Sequence, residues 1–231
     1  MSDETQGADE IELRDEDAQD AQEVDESKSA PEDRATAGPF DVSEVPGMRP
    51  YVDLGGIKVA PREGLQLRLD VDEKAKRVVA VSLNYAESLM QVQAFSAPKS
   101  TGLWNQVRSD IAAQTSAQGA EVAEEAGPLG PELVVRSAAP AEQGGGTRVV
   151  RFIGVDGPRW MLRGVVMGRA AVEEETRARV IELFRELVVV RGDQPMPPSE
   201  LLPLQVPAGV QQSGQAQGPV QGQVQGGVQE A

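Results

Sequence analysis

The chain contains neither histidine nor cysteine in its 231 residues. Without histidine there is no imidazole to act as a base near neutral pH, no Ser-His-Asp triad, and none of the commonest transition-metal ligand. Without cysteine there is no thiolate nucleophile, no iron–sulfur cluster and no disulfide. Only carboxylates, lysine, arginine, tyrosine, hydroxyls and a bound hard cation remain for chemistry. Enzyme activity therefore stays an open question that leans towards no, and we expect no cofactor.

Long apolar segments are also missing. The start, Met1-Ser-Asp-Glu-Thr-Gln, has neither the basic region nor the apolar core of a secretory signal. No run approaches the roughly 18 apolar residues of a membrane span. The sequence therefore predicts a cytoplasmic protein without a membrane partner.

Basic charge is scarce at both ends of the chain. The net charge of −15 comes mainly from residues 1–37, with 14 acidic and 3 basic residues, whereas residues 38–192 hold 20 acidic and 19 basic residues. Residues 193–231 hold 3 acidic and no basic residues. A balanced centre lacks the positive field that phosphate binding requires, and eight scattered aromatic residues do not form a base-stacking platform. We expect no nucleic-acid partner.

These composition changes divide the chain into three parts. We predict a disordered acidic arm over 1–37 and a single globular α+β domain over 38–207. A disordered tail rich in Gln, Gly and Val follows over 208–231. The domain includes a proline-rich extension from residue 193, which either docks onto its own domain, the favoured interpretation, or acts as a proline-rich ligand. The arm offers few sizeable apolar side chains, namely Ile11, Leu13 and Val24.

Apolar periodicity predicts a mainly antiparallel sheet with two principal helices. One helix runs from Ser100 or Thr101, either of which would cap it, to Gly119, and the second from about Val172 to Val190. Period-two alternation predicts strands near 51–60, 65–71, 77–83, 89–95, 132–136, 148–155 and 159–166.

The last two predicted strands meet at Asp156-Gly157, a dipeptide typical of two-residue hairpin turns. With that turn, Ile153 would pair with Trp160, and both would lie on the same face as Leu162. Both faces of the hairpin carry apolar side chains, as expected for an inner strand covered on each side.

Six blocks of the sequence resemble a known family, the actinobacterial family catalogued as domain of unknown function 3710, over residues 38 to about 207. The resemblance implies a fold but no catalytic residues. By analogy, the element order is similar to the small α/β/α sandwich of the Mog1 and PsbP type, whose members commonly act as binding modules. The blocks are Gly38-Pro-Phe-Asp, Val52-Asp-Leu-Gly-Gly, Phe95-Ser-Ala-Pro, Trp104-Asn-Gln-Val-Arg, Gly154-Val-Asp-Gly-Pro-Arg-Trp-Met-Leu-Arg and Arg191-Gly-Asp-Gln-Pro-Met-Pro.

The hairpin is also the candidate binding site. Arg148, Arg159 and Arg163 would line a groove for an anion or a partner carboxylate, with Trp160 as an anchor. The competing interpretation, which we favour, places Trp160 in the core and leaves the arginine side chains to solvent or to glutamates of the last helix.

A metal site is the weaker alternative. Asp70 and Asp72 alternate on a predicted strand and would point the same way, so their oxygens could hold a hard cation. An acidic turn between two strands has the same pattern, and no third ligand is spaced as in a calcium loop.

The leading hypothesis is a non-catalytic protein-interaction module whose partner is another protein. The alternative is a small-molecule or anion-binding domain, conceivably a divalent-cation-dependent hydrolase using Asp70 and Asp72. The sequence leaves the oligomeric state undetermined.

Overall fold

The computed structural model describes residues 25–45, 49–139 and 145–207. The fold is α+β with mostly antiparallel sheets, as predicted. The helices are α1 (Arg34–Ala37), α2 (Trp104–Ala117), α3 (Arg169–Val172) and α4 (Glu174–Arg185). The strands are β1 (Phe40–Asp41), β2 (Val52–Asp53), β3 (Ile57–Val59), β4 (Gln66–Asp72), β5 (Arg77–Tyr85), β6 (Ser88–Ser96), β7 (Glu121–Gly127), β8 (Gly130–Ala138), β9 (Thr147–Asp156), β10 (Trp160–Gly168) and β11 (Val188–Val189).

A seven-stranded sheet forms the centre of the domain. Its strand order is β4-β5-β6-β10-β9-β8-β7, and every neighbouring pair is antiparallel. The edge strand β7 was absent from the sequence prediction. Its sequence, EVAEEAG, has one β-branched residue, Val122, and no aromatic residue to mark a strand, and its pairing with β8 in a hairpin decides its conformation.

The main core lies between one face of this sheet, the helices α3 and α4, and a small second sheet. The small sheet has the order β1-β11-β3-β2, with β1 and β11 parallel. Inner strands supply alternate side chains to this core, since successive residues of a strand point to opposite faces. Fully buried members include Leu54, Ile57, Val81, Leu83, Val155, Trp160, Leu162, Phe184 and Val189.

A smaller cluster lies on the opposite face of the sheet. Trp104 at the start of α2 packs there with Ala97 and Met161, and Phe95 and Phe152 flank them. The Trp104 Nε1–H donates to the Pro131 carbonyl at 2.8 Å, so the indole has a hydrogen-bond partner although it is fully buried. Helices therefore lie on both faces of the sheet. A closer likeness to the Mog1 and PsbP type stays an expectation.

The second long helix is shorter than predicted. It ends at Arg185, and Val188 and Val189 form the strand β11 between β1 and β3. Both valines are completely buried. Apolar residues alone did not distinguish a last helical turn from a short buried strand.

The hairpin of β9 and β10 has a different turn from the predicted one. Asp156 pairs with Met161, and Gly157 donates its N–H to the Trp160 carbonyl, so Pro158-Arg159 forms the turn. Ile153 pairs with Gly164 and not with Trp160. Because the new turn again has two residues, the pairing register moves by an even number of residues, and Ile153, Trp160 and Leu162 still share the core face, as predicted.

Both segments that flank the domain contact it. Residues 25–37, which the sequence analysis placed in the acidic arm, run along the hairpin and the start of α2. Ser29 and Asp156 exchange two hydrogen bonds, and Lys28 Nζ donates to the carbonyls of Gly157 and Pro158 at 2.5 and 2.8 Å. Contacts with the domain thus begin upstream of Gly38, because the backbone carbonyls at the hairpin turn accept hydrogen bonds from Lys28. Residues 1–24 lie outside the described part.

The proline-rich segment docks onto its own domain. Leu201 and Leu204 form bridges with Phe95 and Val78, where the ends of β5 and β6 separate. The Leu202 N–H donates to the Ala94 carbonyl, and its side chain joins the main core. The predicted tail over 208–231 lies outside the described residues.

Among the described residues, no helix combines the length and apolar character needed to cross a membrane.

Candidate functional site

The structure places Trp160 in the main core and not at a surface. Its side chain is fully buried, and its Nε1–H donates to Asp41 Oδ2 at 2.9 Å. The Arg34 guanidinium lies 5.8 Å from the centre of the ring. Trp160 therefore joins β10 to β1 and offers no anchor to a partner, which agrees with the competing interpretation of this residue.

The three arginines of the predicted groove separate into two locations. Arg148 and Arg163 lie on the face of the large sheet that carries α2, opposite the main core. Arg159 is exposed in the hairpin turn. Arg148 Nη2 lies 3.1 Å from Met167 Sδ. The groove with all four predicted residues is not formed, but two of its arginines share a surface.

That surface continues beyond α2. The helix packs mainly against β7, β8 and β9, whereas the same face of β10, β6, β5 and β4 stays partly exposed. We call this second part the open face. Its exposed or partly exposed side chains are Gln66, Arg68, Asp70, Asn84, Leu89, Gln91, Gln93, Arg163, Val165 and Met167.

A row of polar side chains crosses the open face. Asp70 accepts hydrogen bonds from Ser82 Oγ and Gln91 Nε2, both at 2.7 Å. Gln93 accepts from Arg163 and donates to the Val79 carbonyl at 3.0 Å. In the register of the sheet, Asp70 and Arg163 are three strands apart, roughly 14 Å. The acidic and the basic end of the row are therefore too far apart to form an ion pair.

Arg163 has an incomplete set of partners. Its Nη2 donates to Gln93 Oε1, and its guanidinium lies 5.4 Å from the centre of the Phe95 ring. Its Nε is buried and has no hydrogen-bond partner among the described residues. Burial lowers the pKa of this guanidinium from its ordinary value. It nevertheless stays a cation, so the open face holds a half-buried positive charge that no carboxylate of the described residues pairs with.

Arg151 shows the opposite arrangement on the other face. Its guanidinium is buried, and Nη1 lies 2.5 Å from Glu132 Oε1 and 2.8 Å from Glu125 Oε2. Nε donates to the Ala171 carbonyl at 2.9 Å. Arg151 thus joins β9 to β7, β8 and α3, and the two glutamates compensate its charge.

Asp70 and Asp72, the predicted cation ligands, are each held by the protein itself. The Asp72 carboxylate accepts the N–H groups of Ala75 and Lys74 in the turn after β4, and these hydrogen bonds lower its pKa. A β-bulge between Asp70 and Val71 changes the alternation between the two aspartates. In the described ranges, no three histidine, cysteine, aspartate or glutamate residues are grouped to hold a metal ion.

A depression of about 430 Å³ lies at the end of the open face, beside the β5–β6 turn. Tyr85 lines it, with Asn84, Gln66 and Leu89. The guanidinium groups of Arg62 and Arg179 lie 5.4 and 5.2 Å from the Tyr85 ring centre. Hydrogen bonds from Arg179 and Arg62 lower the pKa of the tyrosine hydroxyl.

The polar row was not among the sites predicted from the sequence. Gln91 and Gln93 were predicted to lie in a strand. They alternate there with Met90, Val92 and Ala94, but no accessible polar face was predicted from this alternation. On an inner strand with one face buried, such polar positions mark the other face as accessible. Asp70 was named only as a candidate ligand of the weaker alternative, a metal site; in the structure its carboxylate accepts hydrogen bonds from Ser82 and Gln91.

The family comparison agrees with the blocks quoted above. Residues 38–213, most of the chain, match the family described as protein of unknown function (DUF3710). The chain belongs to this family. Its description assigns no activity, and the matched range contains the open face and both helices that flank the sheet. No curated protein and no solved structure matches the chain.

Proposed function

We propose that this family member is a cytoplasmic, non-catalytic protein-interaction module whose contact surface is the open face. Its partner protein contributes an extended, acidic segment to this surface. The observation that carries the proposal is Arg163, a half-buried guanidinium with an unsatisfied Nε and no carboxylate among the described residues.

Burying a cation without a counter-charge is costly, and such groups are normally paired. Arg151 shows that this fold provides two glutamates where a buried arginine serves structure alone. A carboxylate of a partner at the accessible part of the Arg163 guanidinium would neutralise the charge. The planar guanidinium suits two-point contact with a carboxylate.

The neighbours of Arg163 favour a peptide over an isolated ion. Val165 lies two residues along β10 from the arginine on the same face, and Met167 and Leu89 lie one pair further along, each with part of its apolar surface in solvent. Gln91 and Gln93 supply amide groups at the next strand. A surface with an arginine, amides and exposed apolar side chains has the composition of a protein contact area.

A site-specific cross-linker tests the proposed surface in the full chain. A photoreactive residue at Gln91 should capture one discrete protein, whereas the same residue at the exposed Glu182 on α4 should not. The captured protein is then purified, and its affinity for the native chain and for two charge variants is measured. Arg163→Gln should weaken binding by about tenfold or more, and the exposed control Arg159→Gln should not.

Equal affinity of the purified partner for Arg163→Gln and the native chain would overturn the proposal. Equal capture from Gln91 and Glu182 would also do so, because the contact would then not be specific to the open face.

The depression beside Tyr85 favours a second candidate function, the binding of a small anion. Two guanidinium groups flank its tyrosine, and Arg179 has no ion-pair partner among the described residues, whereas Arg62 pairs with Glu186 at 2.9 Å. Inorganic phosphate and pyrophosphate are the probes. A saturable rise in Tm that Arg179→Gln abolishes and Arg159→Gln retains would support this function.

A further inference from the structure

We infer that the acidic segment 1–24 of this chain docks on the open face and competes there with the partner protein. This inference rests on the proposed function, since it names an occupant of the same surface. Three observations carry it: the charges of the segment and the surface, the place where the segment joins the domain, and its length.

The charges are complementary. Residues 1–24 hold 10 acidic residues and only Arg14 as a basic one. The basic residues on and beside the open face are Arg68, Arg148 and Arg163, and the acidic residue of the face is Asp70. A segment rich in carboxylates therefore meets a surface with an excess of guanidinium groups, and the half-buried Arg163 gains most from a carboxylate.

The segment begins at the border of this surface. The Asn105 side chain donates to the carbonyls of Asp25 and Ser27 at 3.0 and 3.3 Å, and the Gly102 N–H donates to the Glu26 carbonyl at 2.9 Å. The neighbouring Trp104 belongs to the cluster that includes Phe95. The Arg163 guanidinium lies over Phe95. A short chain of contacts thus leads from the attachment point to the unpaired cation.

The segment is long enough to cross the whole surface. Twenty-four extended residues span roughly 80 Å, whereas the distance across the sheet from β9 to β4 is about 19 Å. The attachment also gives the segment a local concentration of about millimolar, so that weak contacts suffice to populate the docked form. Within the segment, Ile11 and Leu13 lie among glutamates. This pattern matches a surface where Val165 lies two residues along β10 from Arg163 and Leu89 lies further along the same face.

The lack of native cysteine permits a direct test in the full chain. A nitroxide is attached to the single cysteine of an Ala8→Cys variant, and paramagnetic relaxation of side-chain methyl groups is measured by NMR. Relaxation at Leu89, Val165 and Met167 should exceed that at Val172, which is 66% exposed on α3. The excess should disappear after Glu10→Gln, Glu12→Gln, Asp15→Asn and Glu16→Gln are combined, and after Arg163→Gln, but not after Arg159→Gln.

A second measurement separates this inference from the proposed function. A fluorescent peptide of residues 9–17 is titrated into the native chain and into the chain with the neutralised segment. If the segment occupies the open face, neutralising it should raise the peptide affinity about tenfold, and Arg163→Gln should reverse the gain. Equal relaxation on all surfaces, or equal peptide affinity for both chains, would overturn the inference. Binding of the purified partner at Arg163 would in that case still support the proposed function.

Discussion

The indole of Trp104 lies so close to Cα of Gly154 that a Cβ at this position would overlap its ring carbons. Glycine near the C-terminal end of β9 therefore allows α2 to approach the sheet, and it sets the position of the helix that borders the open face. The contact joins two of the sequence blocks by which the family resemblance was recognised.

Gly154→Ala should destabilise the protein by about 1–3 kcal/mol, because the added methyl group forces the helix or the strand to move. Urea denaturation gives the free energy of unfolding. The same substitution in a Trp104→Leu background should cost clearly less, since the overlapping ring is gone. An equal cost in both backgrounds would mean that the contact does not cause the destabilisation.

Asp156 is expected to make the free energy of unfolding depend on pH. Its carboxyl is 2% exposed, and burial raises its pKa, against hydrogen bonds from the N–H groups of Leu103, Ser29 and Trp104. The native state therefore holds the proton more tightly than the unfolded state does. This contribution to stability is complete below the unfolded pKa and is lost as pH rises through the folded pKa.

Asp156→Asn removes this contribution. The difference in free energy of unfolding between the native chain and this variant should decrease as pH rises from about 3 to about 6. Denaturant titrations at several pH values measure it. A difference that grows over the same range would show that the hydrogen bonds, and not burial, dominate the pKa of Asp156.

Arg163 and Arg151 should respond oppositely to the same substitution. Arg163→Met removes an uncompensated charge, and we expect stability to be unchanged or to rise by up to about 1 kcal/mol. Arg151→Met leaves Glu132 buried without its partner and should cost about 3 kcal/mol or more. Thermal and urea unfolding of both variants test the pair. Comparable losses would show that Arg163 serves the fold, and would remove the main support for the open face as a binding site.

Trp160→Phe should lower stability without changing binding at the open face. The variant loses the hydrogen bond from Nε1 to Asp41 Oδ2, which should cost about 1–3 kcal/mol because the carboxylate loses a donor. Trp160 lies on the core face of β10, opposite Arg163, so the purified partner should bind the folded variant with native affinity. Weaker binding by a folded Trp160→Phe chain would contradict the separation of the two faces.

The hairpin shows how far sequence patterns reach in this protein. Alternation placed Ile153, Trp160 and Leu162 on one face correctly, although the predicted turn was displaced by two residues. The cause is Asp156, whose carboxylate accepts the N–H groups at the start of α2 and so belongs to the strand end instead of the turn. The expected caps, Ser100 and Thr101, precede the helix, and its cap comes from a residue more than fifty positions later.

In the candidate site, too, sequence patterns identified residues but not their distant partners. Arg148 and Arg163 were named from the sequence, because arginines in a strand rich in apolar residues stand out. Arg151, on the same hairpin, pairs with Glu125 of β7, which the sequence did not predict, and with Glu132 of the neighbouring strand β8. Arg163 has no such partner among the described residues, and local sequence patterns do not show this difference.

The sequence by itself determined the α+β class, the inner strands, the two long helices and the absence of imidazole and thiol chemistry. These depend on composition and on short-range periodicity, which every local window of the chain carries. Only the tertiary structure decided which arginine is compensated, which carboxylate caps α2 and which half of the sheet stays accessible. Each of these depends on residues distant in sequence that meet across strands, and no local pattern encodes such a pairing.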